Sequence, residues 1–168
     1  MKKLKKTIVF LATGSNLGNR KKNISKALEL LSKNKNIHII QSSKLLKNPP
    51  EEGVSGGYFL NGTVKIKTIL GPAELLSLCA DIEERLGRDG EPENRSNKEA
   101  RTIDLDILFY GNKIIKRKNL KIPHPRLHRR NFVLKPLNEI APDFMHPVFK
   151  KRIKELFTSL IKRVKQSA

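Results

Sequence analysis

This 168-residue chain lacks the residues for an internal disulfide bond and for a membrane span. It has one cysteine, Cys79, so a secreted fold held by a disulfide framework is ruled out. No apolar run approaches the roughly 18 residues of a membrane span. The lysine-rich start and apolar residues 7–13 resemble a signal peptide, but polar Asn16 and Asn19 follow at once without a clear cleavage site. We therefore predict that residues 7–13 form a strand and that the protein is cytoplasmic.

Acidic residues are scarce, because 16 Asp and Glu face 35 Lys and Arg, which gives a formal net charge of +19. This excess indicates an anionic partner, either nucleic acid or phosphorylated small molecules, although a solvated lysine-rich surface is an equally good interpretation. Residues 113–130 carry eight basic residues and no acid. The P-loop pattern G-x-x-x-x-G-K-S/T is absent, so a phosphorylated ligand needs another kind of site.

The length and the 38% hydrophobic share suit one domain, which we predict to span residues 1–168. Apolar periodicity predicts three helices: one capped by Asn23, one starting at Pro72 and one with an apolar stripe from Ile153 to Val164. It also predicts four strands, at residues 7–13, 37–46, 58–68 and 102–110. The order strand, helix, strand, strand, helix, strand predicts an α+β fold of the ferredoxin-like kind. Such a fold is an antiparallel sheet with helices packed on one face, which leaves the other face open for a site.

The fourth predicted strand brings two carboxylates to the open face. Strand side chains alternate, so Asp104 and Asp106 share one face and the apolar residues share the other: Ile103, Leu105, Ile107 and Phe109. Two anions at this spacing repel unless a cation lies between them. A site of few carboxylates suits Mg²⁺, which keeps waters and adds substrate phosphates. The pattern therefore predicts a magnesium site, with two ordinary surface aspartates as the alternative.

The third predicted strand places Phe59 and Asn61 together on one face. A flat heterocycle stacks on an aromatic ring and is recognised at its edge by an amide, although an edge aromatic that covers a loop is the alternative interpretation. Arg88 and Arg101 flank a long polar segment, residues 88–100. These arginines either clamp phosphates or pair with acids of the segment.

Several motifs together resemble one family, the 6-hydroxymethyl-7,8-dihydropterin pyrophosphokinases of folate biosynthesis. The motifs occur in order along the chain: TGSNLGNR from Thr13, NPP from Asn48, FLN from Phe59, LGR from Leu86, RTIDLDILFYG from Arg101 and IPHPRLHRRNFVLKPLNEIAPDFMHP from Ile122. The resemblance implies the same ferredoxin-like fold. It also implies transfer of pyrophosphate from ATP to the hydroxymethyl group of the pterin, with release of AMP.

The resemblance also implies metal, pterin and nucleotide contacts. Asp104 and Asp106 would hold two Mg²⁺ that bridge the ATP phosphates. The pterin would lie between two rings, with an amide and loop backbone around it: Phe59, Phe132, Asn61, Asn48, Pro49 and Pro50. The ATP would be contacted by an acid, three arginines and a histidine: Glu83, Arg88, Arg101, Arg130 and His124. Two of these arginines, Arg88 and Arg101, and the two aspartates are the predicted catalytic residues.

Three positions depart from the family pattern. Asn48 stands where the family usually has threonine, Gly90 where it often has a second arginine, and Ala100 where it commonly has proline. Residues 48–57 and 88–100 resemble the family's closing loops, which exclude water during transfer. The expected partners are ATP and the pterin, with no membrane or nucleic acid, and the enzyme is expected to be a monomer.

Two alternatives to an active enzyme remain open from the sequence. An RNA-binding sheet would use the basic charge, but the aromatic share is 5% and the K/R-G-F signature is missing. An inactive enzyme that serves as an interaction protein is the other alternative, and the intact set of Asp, Arg, His and Asn residues argues against it. Binding of nucleotide that requires Mg²⁺ would favour the enzyme, whereas salt-sensitive RNA affinity without Mg²⁺ would favour the module.

Overall fold

The computed structural model describes residues 5–87 and 99–167. These residues contain four α-helices of about three to four turns: α1 (Arg20–Lys33), α2 (Pro72–Arg85), α3 (Asn131–Ile140) and α4 (Ile153–Gln166). The strands are β1 (Thr7–Ser15), β2 (Ile37–Ser42), β3 (Leu46–Asn48), β4 (Phe59–Thr68), β5 (Asp104–Tyr110), β6 (Ile115–Lys116) and β7 (Lys121–Ile122). Within the described ranges, none of the helices has the length and apolar character needed to cross a membrane.

The main sheet is antiparallel, with strand order β2-β4-β1-β5, and β3 also pairs with β4. This order confirms the predicted α+β fold with an antiparallel, ferredoxin-like sheet. The strand predicted at residues 37–46 is two shorter strands, because both β2 and β3 pair with the ten-residue strand β4. Strands β6 and β7 form a separate hairpin.

The predicted helices α1 and α2 cover one face of the sheet. Their apolar stripes pack in one core with Val9 and Leu11 of β1: Ile24, Ala27, Leu31, Leu75, Cys79 and Ile82. The cap of α1 is Asn19 and not Asn23, since the Asn19 side chain accepts a hydrogen bond from the Lys22 amide at 3.0 Å. The α2 helix begins at Pro72 as predicted.

Contrary to the expectation that helices cover one face only, the opposite face of the sheet carries a second core under α3 and α4. Phe10 of β1 packs there with Leu108 and Phe109 of β5 and with apolar residues of both helices: Val133, Leu134, Leu137, Ile153, Leu156 and Leu160. The prediction for Phe109 was wrong, because the pairing of β1 and β5 shifts register between Phe10 and Leu11. The extra residue of this irregularity reverses the alternation, so Phe109 faces the second core. The rest of this face stays open.

Candidate active site

A cleft of about 1160 Å³ lies on the open part of the second face. Ten of the thirteen residues predicted for the site line it: Asn48, Phe59, Asn61, Glu83, Arg101, Asp104, Asp106, His124, Arg130 and Phe132. Pro49 and Pro50 are not among its lining residues, and Arg88 lies outside the described residues. The fold therefore brings together side chains from β3, β4, α2, β5 and the start of α3.

The register of the paired strands determines which residues lie at the bottom of the cleft, which we call its floor. Gly14 of β1 pairs with Asn61 on one side and with Asp104 on the other, and Ala12 pairs in the same way with Thr63 and Asp106. Gly14 and Ala12, the two smallest residues, thus lie between two rows of polar side chains. One row is Asn61 and Thr63 on β4, and the other is Asp104 and Asp106 on β5. Because neighbouring strands lie about 4.8 Å apart, the two rows are separated by roughly 10 Å.

One end of the cleft is formed by Asn48, Phe59, Asn61 and Phe132, and we call it the asparagine end. The Nδ2 of Asn61 donates a short hydrogen bond to Oδ1 of Asn48, whose own Nδ2 donates to the Pro49 carbonyl at 3.0 Å. Asn61 is 9% exposed, so this amide is already fixed before any ligand arrives. The two rings and the fixed amide are suited to bind a flat polar ring system.

Gly14 has no side chain where Asn61 needs room. A Cβ on Gly14 would lie 2.9 Å from Oδ1 of Asn61 and 3.8 Å from the Phe59 ring. The first distance is shorter than side chains tolerate, so any larger residue would displace the amide. Because Gly14 has no Cβ, the Asn61 amide has the space that it needs beside β1 and faces the cleft.

The carboxylates of Asp104 and Asp106 face the middle of the cleft. Asp104 forms an ion pair with Arg101, with 2.8 Å between Oδ2 and Nη1, and both side chains are largely buried. Among residues 5–87 and 99–167, no group of three His, Cys, Asp or Glu side chains is placed to hold a metal. A pair of carboxylates without a third protein ligand fits Mg²⁺, which takes its remaining ligands from water and from substrate phosphates.

Glu83 is 6% exposed and holds α2 against β5. Its Oε1 accepts a hydrogen bond from the Leu105 amide at 2.7 Å, directly between the two aspartates in sequence. This contact fixes the strand that carries Asp104 and Asp106. The predicted contact of Glu83 with a nucleotide stays a prediction.

Lys118, His124 and Arg126 form the opposite end of the cleft, which we call the basic end. Burial, followed by the charges of Arg130 and Arg126, lowers the pKa of His124 to about 4, so the imidazole is neutral at pH 7. Its Nδ1 accepts a hydrogen bond from the Arg126 amide at 3.2 Å. The proton therefore lies on Nε2, which is able to donate to an anion.

Arg130 lies between the two ends. Its Nη2 is 2.9 Å from Oε2 of Glu51, and its guanidinium carbon lies 5.4 Å from the centre of the Phe132 ring. The Arg130 side chain is 15% exposed, whereas Glu51 is 51% exposed. An incoming phosphate would compete with Glu51 for this arginine.

Asn16 is the main residue of the site that sequence reasoning missed. It is 1% exposed, its Oδ1 accepts from the Arg101 amide at 2.6 Å, and its Nδ2 donates to the Ser55 carbonyl at 2.9 Å. It thereby ties residues 51–57 to the backbone of Arg101. A buried amide in a glycine-rich turn was the available signal, but its partners lie 39 and 85 residues away.

Comparisons with known proteins agree on one family. The model of the 7,8-dihydro-6-hydroxymethylpterin-pyrophosphokinase (HPPK) family matches residues 10–142. The chain is 40% identical to the 2-amino-4-hydroxy-6-hydroxymethyldihydropteridine pyrophosphokinase of Aquifex aeolicus over 88% of both proteins. It is 36% identical to the protein of the same name from Haemophilus influenzae, over 92% of this chain and 91% of that one.

Longer proteins also contain a similar region. The chain is 42% identical to a folic acid synthesis protein of Pneumocystis carinii, but it spans only 20% of that protein's length. In a crystal structure of Plasmodium falciparum HPPK-DHPS with pteroate, the similar region has a TM-score of 0.79 at 19% identity. The match covers 99% of this chain and 44% of that one, and at this identity it bears on the fold alone.

Proposed function

Because the chain belongs to the 7,8-dihydro-6-hydroxymethylpterin-pyrophosphokinase family, we propose that its cleft transfers pyrophosphate from ATP to the hydroxymethyl group of 6-hydroxymethyl-7,8-dihydropterin, in folate biosynthesis. The other product is AMP. The family and the enzyme class predicted from the sequence motifs are confirmed by the relatives. The observation that carries the residue roles is the single cleft in which the amide, the carboxylates and the basic residues meet.

The pterin binds at the asparagine end. Phe59 and Phe132 stack on its two faces, and Asn61 reads its hydrogen-bonding edge through the Oδ1 that faces the Gly14 floor. Asn48 supports Asn61 through the hydrogen bond between the two amides. Backbone groups of Asn48, Pro49 and Pro50 complete the pocket from the adjacent loop. The side chains at this end are already ordered and the pterin ring is rigid, so little conformational entropy is lost when the pterin binds.

Asp104 and Asp106 would hold two Mg²⁺ together with the triphosphate. Bound there, the metal would supply neutralisation of the phosphate charge. The chemistry of the donors supports this assignment, because carboxylate oxygens suit Mg²⁺, which completes its shell with water and phosphate oxygens. Arg101 sits beside Asp104 at 2.8 Å and reaches the same phosphates.

The chain's residues bring a primary alcohol and the β-phosphorus into line. The hydroxymethyl oxygen forms the new bond to the β-phosphorus, and the bond to the α–β bridging oxygen breaks, so that oxygen leaves with AMP. Arg88, Arg101 and Arg130 stabilise the phosphate charge, while neutral His124 donates from Nε2 and Glu83 holds β5 in place. Asn16 holds residues 51–57 next to Arg101 and so limits the access of water.

In this proposal the chain acts as one domain, as a monomer and in the cytoplasm. Both apolar cores share the strands β1 and β5, which supports a single domain. Its one cysteine, Cys79, is buried and free, which suits a reducing compartment.

Tracing of labelled phosphates tests the reaction. The protein is incubated with Mg²⁺ and the pterin, once with ATP labelled at the γ-phosphorus and once with ATP labelled at the α-phosphorus. The γ label is expected in a pterin diphosphate and the α label in AMP, in both cases only when the pterin is present. A γ label that ends in a pterin monophosphate with ADP as the other product would contradict pyrophosphoryl transfer.

A further inference from the structure

Arg20, the first residue of α1, has no role in the account so far. It ends the TGSNLGNR motif, the same motif whose Asn16 holds residues 51–57. Its Nε donates a hydrogen bond to the Tyr58 carbonyl at 2.8 Å, and its Nη1 donates to the Gly18 carbonyl at 3.2 Å. Its guanidinium carbon lies 4.2 Å from the centre of the Tyr58 ring. Arg20 therefore contacts both the backbone and the ring of Tyr58.

The Tyr58 carbonyl lies just beyond the end of the main sheet. Strand β4 begins at Phe59, which pairs with Asn48 of β3, and the last residue of β1, Ser15, pairs with Leu60. In the described part of the chain the pairing of both neighbouring strands stops short of Tyr58, so a side chain has to supply a donor for its carbonyl. Arg20 supplies that donor from the start of α1.

The Tyr58 ring also receives a cation from β3. The Nζ of Lys47 lies 4.1 Å from the centre of the ring, and the face of an aromatic ring attracts a cation. Tyr58 is 40% exposed, yet its ring is held from α1 and from β3. These contacts restrict the backbone at the residue directly before Phe59.

Gly57 leaves open the space that Arg20 occupies. A Cβ on Gly57 would lie 2.5 Å from Nη2 of Arg20 and 3.7 Å from its Cζ. Gly57 is not among the residues with positive φ, so its backbone conformation accepts an alanine. The atom in the way is the end of a flexible side chain. The substitution Gly57→Ala therefore displaces the guanidinium and leaves the fold intact.

We propose that Arg20 is a positioning residue for the pterin, because it fixes the backbone at the start of β4 and with it the ring of Phe59. The proposal rests on the proposed function, in which Phe59 stacks on the pterin. A ring that is already fixed loses less conformational entropy when the pterin binds. Neither Arg20 nor Tyr58 lines the cleft, so Arg20 acts through the backbone and not through its charge on a ligand.

The experiment compares the wild type with Arg20→Ala, Arg20→Lys and the control Lys21→Ala. Lys21 is the next residue of α1 and is exposed, and alanine is a good helix former, so α1 is kept in every variant. Calorimetry measures the binding of 6-hydroxymethyl-7,8-dihydropterin and of ATP with Mg²⁺. Initial rates give kcat and the KM for the pterin.

Arg20→Ala is expected to bind the pterin about ten-fold more weakly, as the loss of one hydrogen bond and one cation over a ring implies. The KM for the pterin rises by a similar factor, while kcat and the affinity for ATP stay as in the wild type. Arg20→Lys keeps a cation for the Tyr58 ring and recovers part of the loss. The control Lys21→Ala behaves as the wild type.

Gly57→Ala is a second test that keeps Arg20 itself. It is expected to weaken pterin binding about three-fold, because the guanidinium is moved from the Tyr58 ring. In an Arg20→Ala background the same change is expected to cost nothing further, since the side chain that it displaces is gone. Unchanged pterin affinity in Gly57→Ala decides against the proposal even if Arg20→Ala does not fold.

Unchanged pterin affinity in Arg20→Ala would overturn the proposal. An equal loss of ATP affinity would also overturn it, because a general loosening of α1 would weaken both ligands, and so would additive losses in Gly57→Ala and Arg20→Ala. All of these results leave the proposed function standing as long as the wild type converts ATP to AMP in the presence of the pterin. Absence of that conversion in the wild type would instead contradict the proposed function itself.

Discussion

The two ends of the cleft are built in different ways. At the asparagine end, Asn48 and Asn61 lie on paired strands and are hydrogen-bonded to each other above the Gly14 floor. At the basic end, Lys118 and Arg126 come from the hairpin and turn that follow β5 and are exposed. In the proposed function, the rigid pterin ring therefore binds to a strand surface whose side chains are already held in place. The flexible triphosphate binds instead to exposed side chains that are able to change conformation.

The carboxylates between the two ends carry the largest expected effect. Asp104→Asn removes a charge from the metal site while keeping the shape of the side chain, so kcat is expected to fall about 10³-fold or more. The melting temperature is expected to change little. Initial rates at saturating Mg²⁺ and calorimetric melting check both points. Asp143→Asn removes an exposed aspartate that pairs with Arg152 and Lys154 outside the cleft, and it is expected to leave the rate unchanged. Retained activity in Asp104→Asn would contradict the metal assignment.

The asparagine end is tested by Asn61→Ala. The variant loses the contact to the pterin edge and leaves Oδ1 of Asn48 without its donor, so pterin affinity is expected to fall by about 2–3 kcal/mol. The affinity for ATP is expected to stay the same, because the amide lies on the other side of the carboxylates. Calorimetric titration of each ligand measures the difference, with the exposed Asn112→Ala as control. Equal losses for both ligands would contradict the division of the cleft.

Protonation of two histidines is expected to destabilise the fold at mildly acidic pH. Burial is the main cause that lowers the pKa of His124 and of His146 to about 4, compared with an ordinary value of 6.5. Between pH 6.5 and 4 the unfolded chain binds protons that the folded chain does not, so stability is lost as the pH falls through this window. Urea unfolding is expected to show a loss of about 2 kcal/mol for each of the two histidines between pH 7 and pH 5.

The variant His146→Gln is the matched control for this pH effect. The Nδ1 of His146 accepts hydrogen bonds from the amides of Val148 and Phe149, and a glutamine oxygen is able to accept them without titrating. The loss of stability between pH 7 and pH 5 is therefore expected to shrink in this variant. An unchanged stability of the wild type across that range would show that the two imidazoles are not held neutral.

The floor of the asparagine end is tested by Gly14→Ala. Its Cβ would meet Oδ1 of Asn61 at 2.9 Å, so the amide has to move and pterin affinity is expected to fall by about 1 kcal/mol. In an Asn61→Ala background the same change is expected to cost nothing further, because the clash is gone. Calorimetry on the four proteins of this double-mutant cycle gives the coupling. Additive losses would mean that Gly14 acts through something other than Asn61.

The smallest expected effect concerns the ion pair between Arg130 and Glu51. Glu51→Gln releases Arg130 from a half-exposed partner at 2.9 Å, so ATP affinity is expected to rise by about 0.5 kcal/mol. The neighbouring exposed residue gives the control Glu52→Gln, which is expected to have no effect. Fluorescence titration with a labelled ATP analogue measures both. Weaker ATP binding in Glu51→Gln would show that the pair prepares Arg130 for the phosphates.

The strand patterns predicted the centre of the site well, because alternation is a local property. It placed Asp104 and Asp106 on one face of β5, and the pairing with Gly14 and Ala12 shows the same alternation in the structure. The alternation pattern gave the wrong face for Phe109. The register shift depends on how β1 and β5 pair, so the sequence of β5 alone does not predict it.

Residues that act through distant partners could not be predicted in the same way. Asn16 forms its hydrogen bonds with Ser55 and Arg101, and no periodicity relates these positions. Likewise, the sequence places Arg126 in a basic segment but does not show that its turn crosses the edge of β5 and brings it to the cleft. Asn19 took the capping role expected of Asn23 because the helix starts one turn earlier, and Asn23 instead donates to the Leu17 carbonyl at 2.9 Å.

A crystal structure with Mg²⁺, the pterin and a non-transferable ATP analogue tests the central claim, that the two substrates meet from opposite ends of the cleft over the carboxylates. The account predicts the pterin between Phe59 and Phe132, the β-phosphorus over Asp104 and Asp106, and the α-phosphate at the basic end, next to His124. The hydroxymethyl oxygen, the β-phosphorus and the α–β bridging atom are expected in line. A pterin and a nucleoside bound on the same side of the aspartates would contradict it.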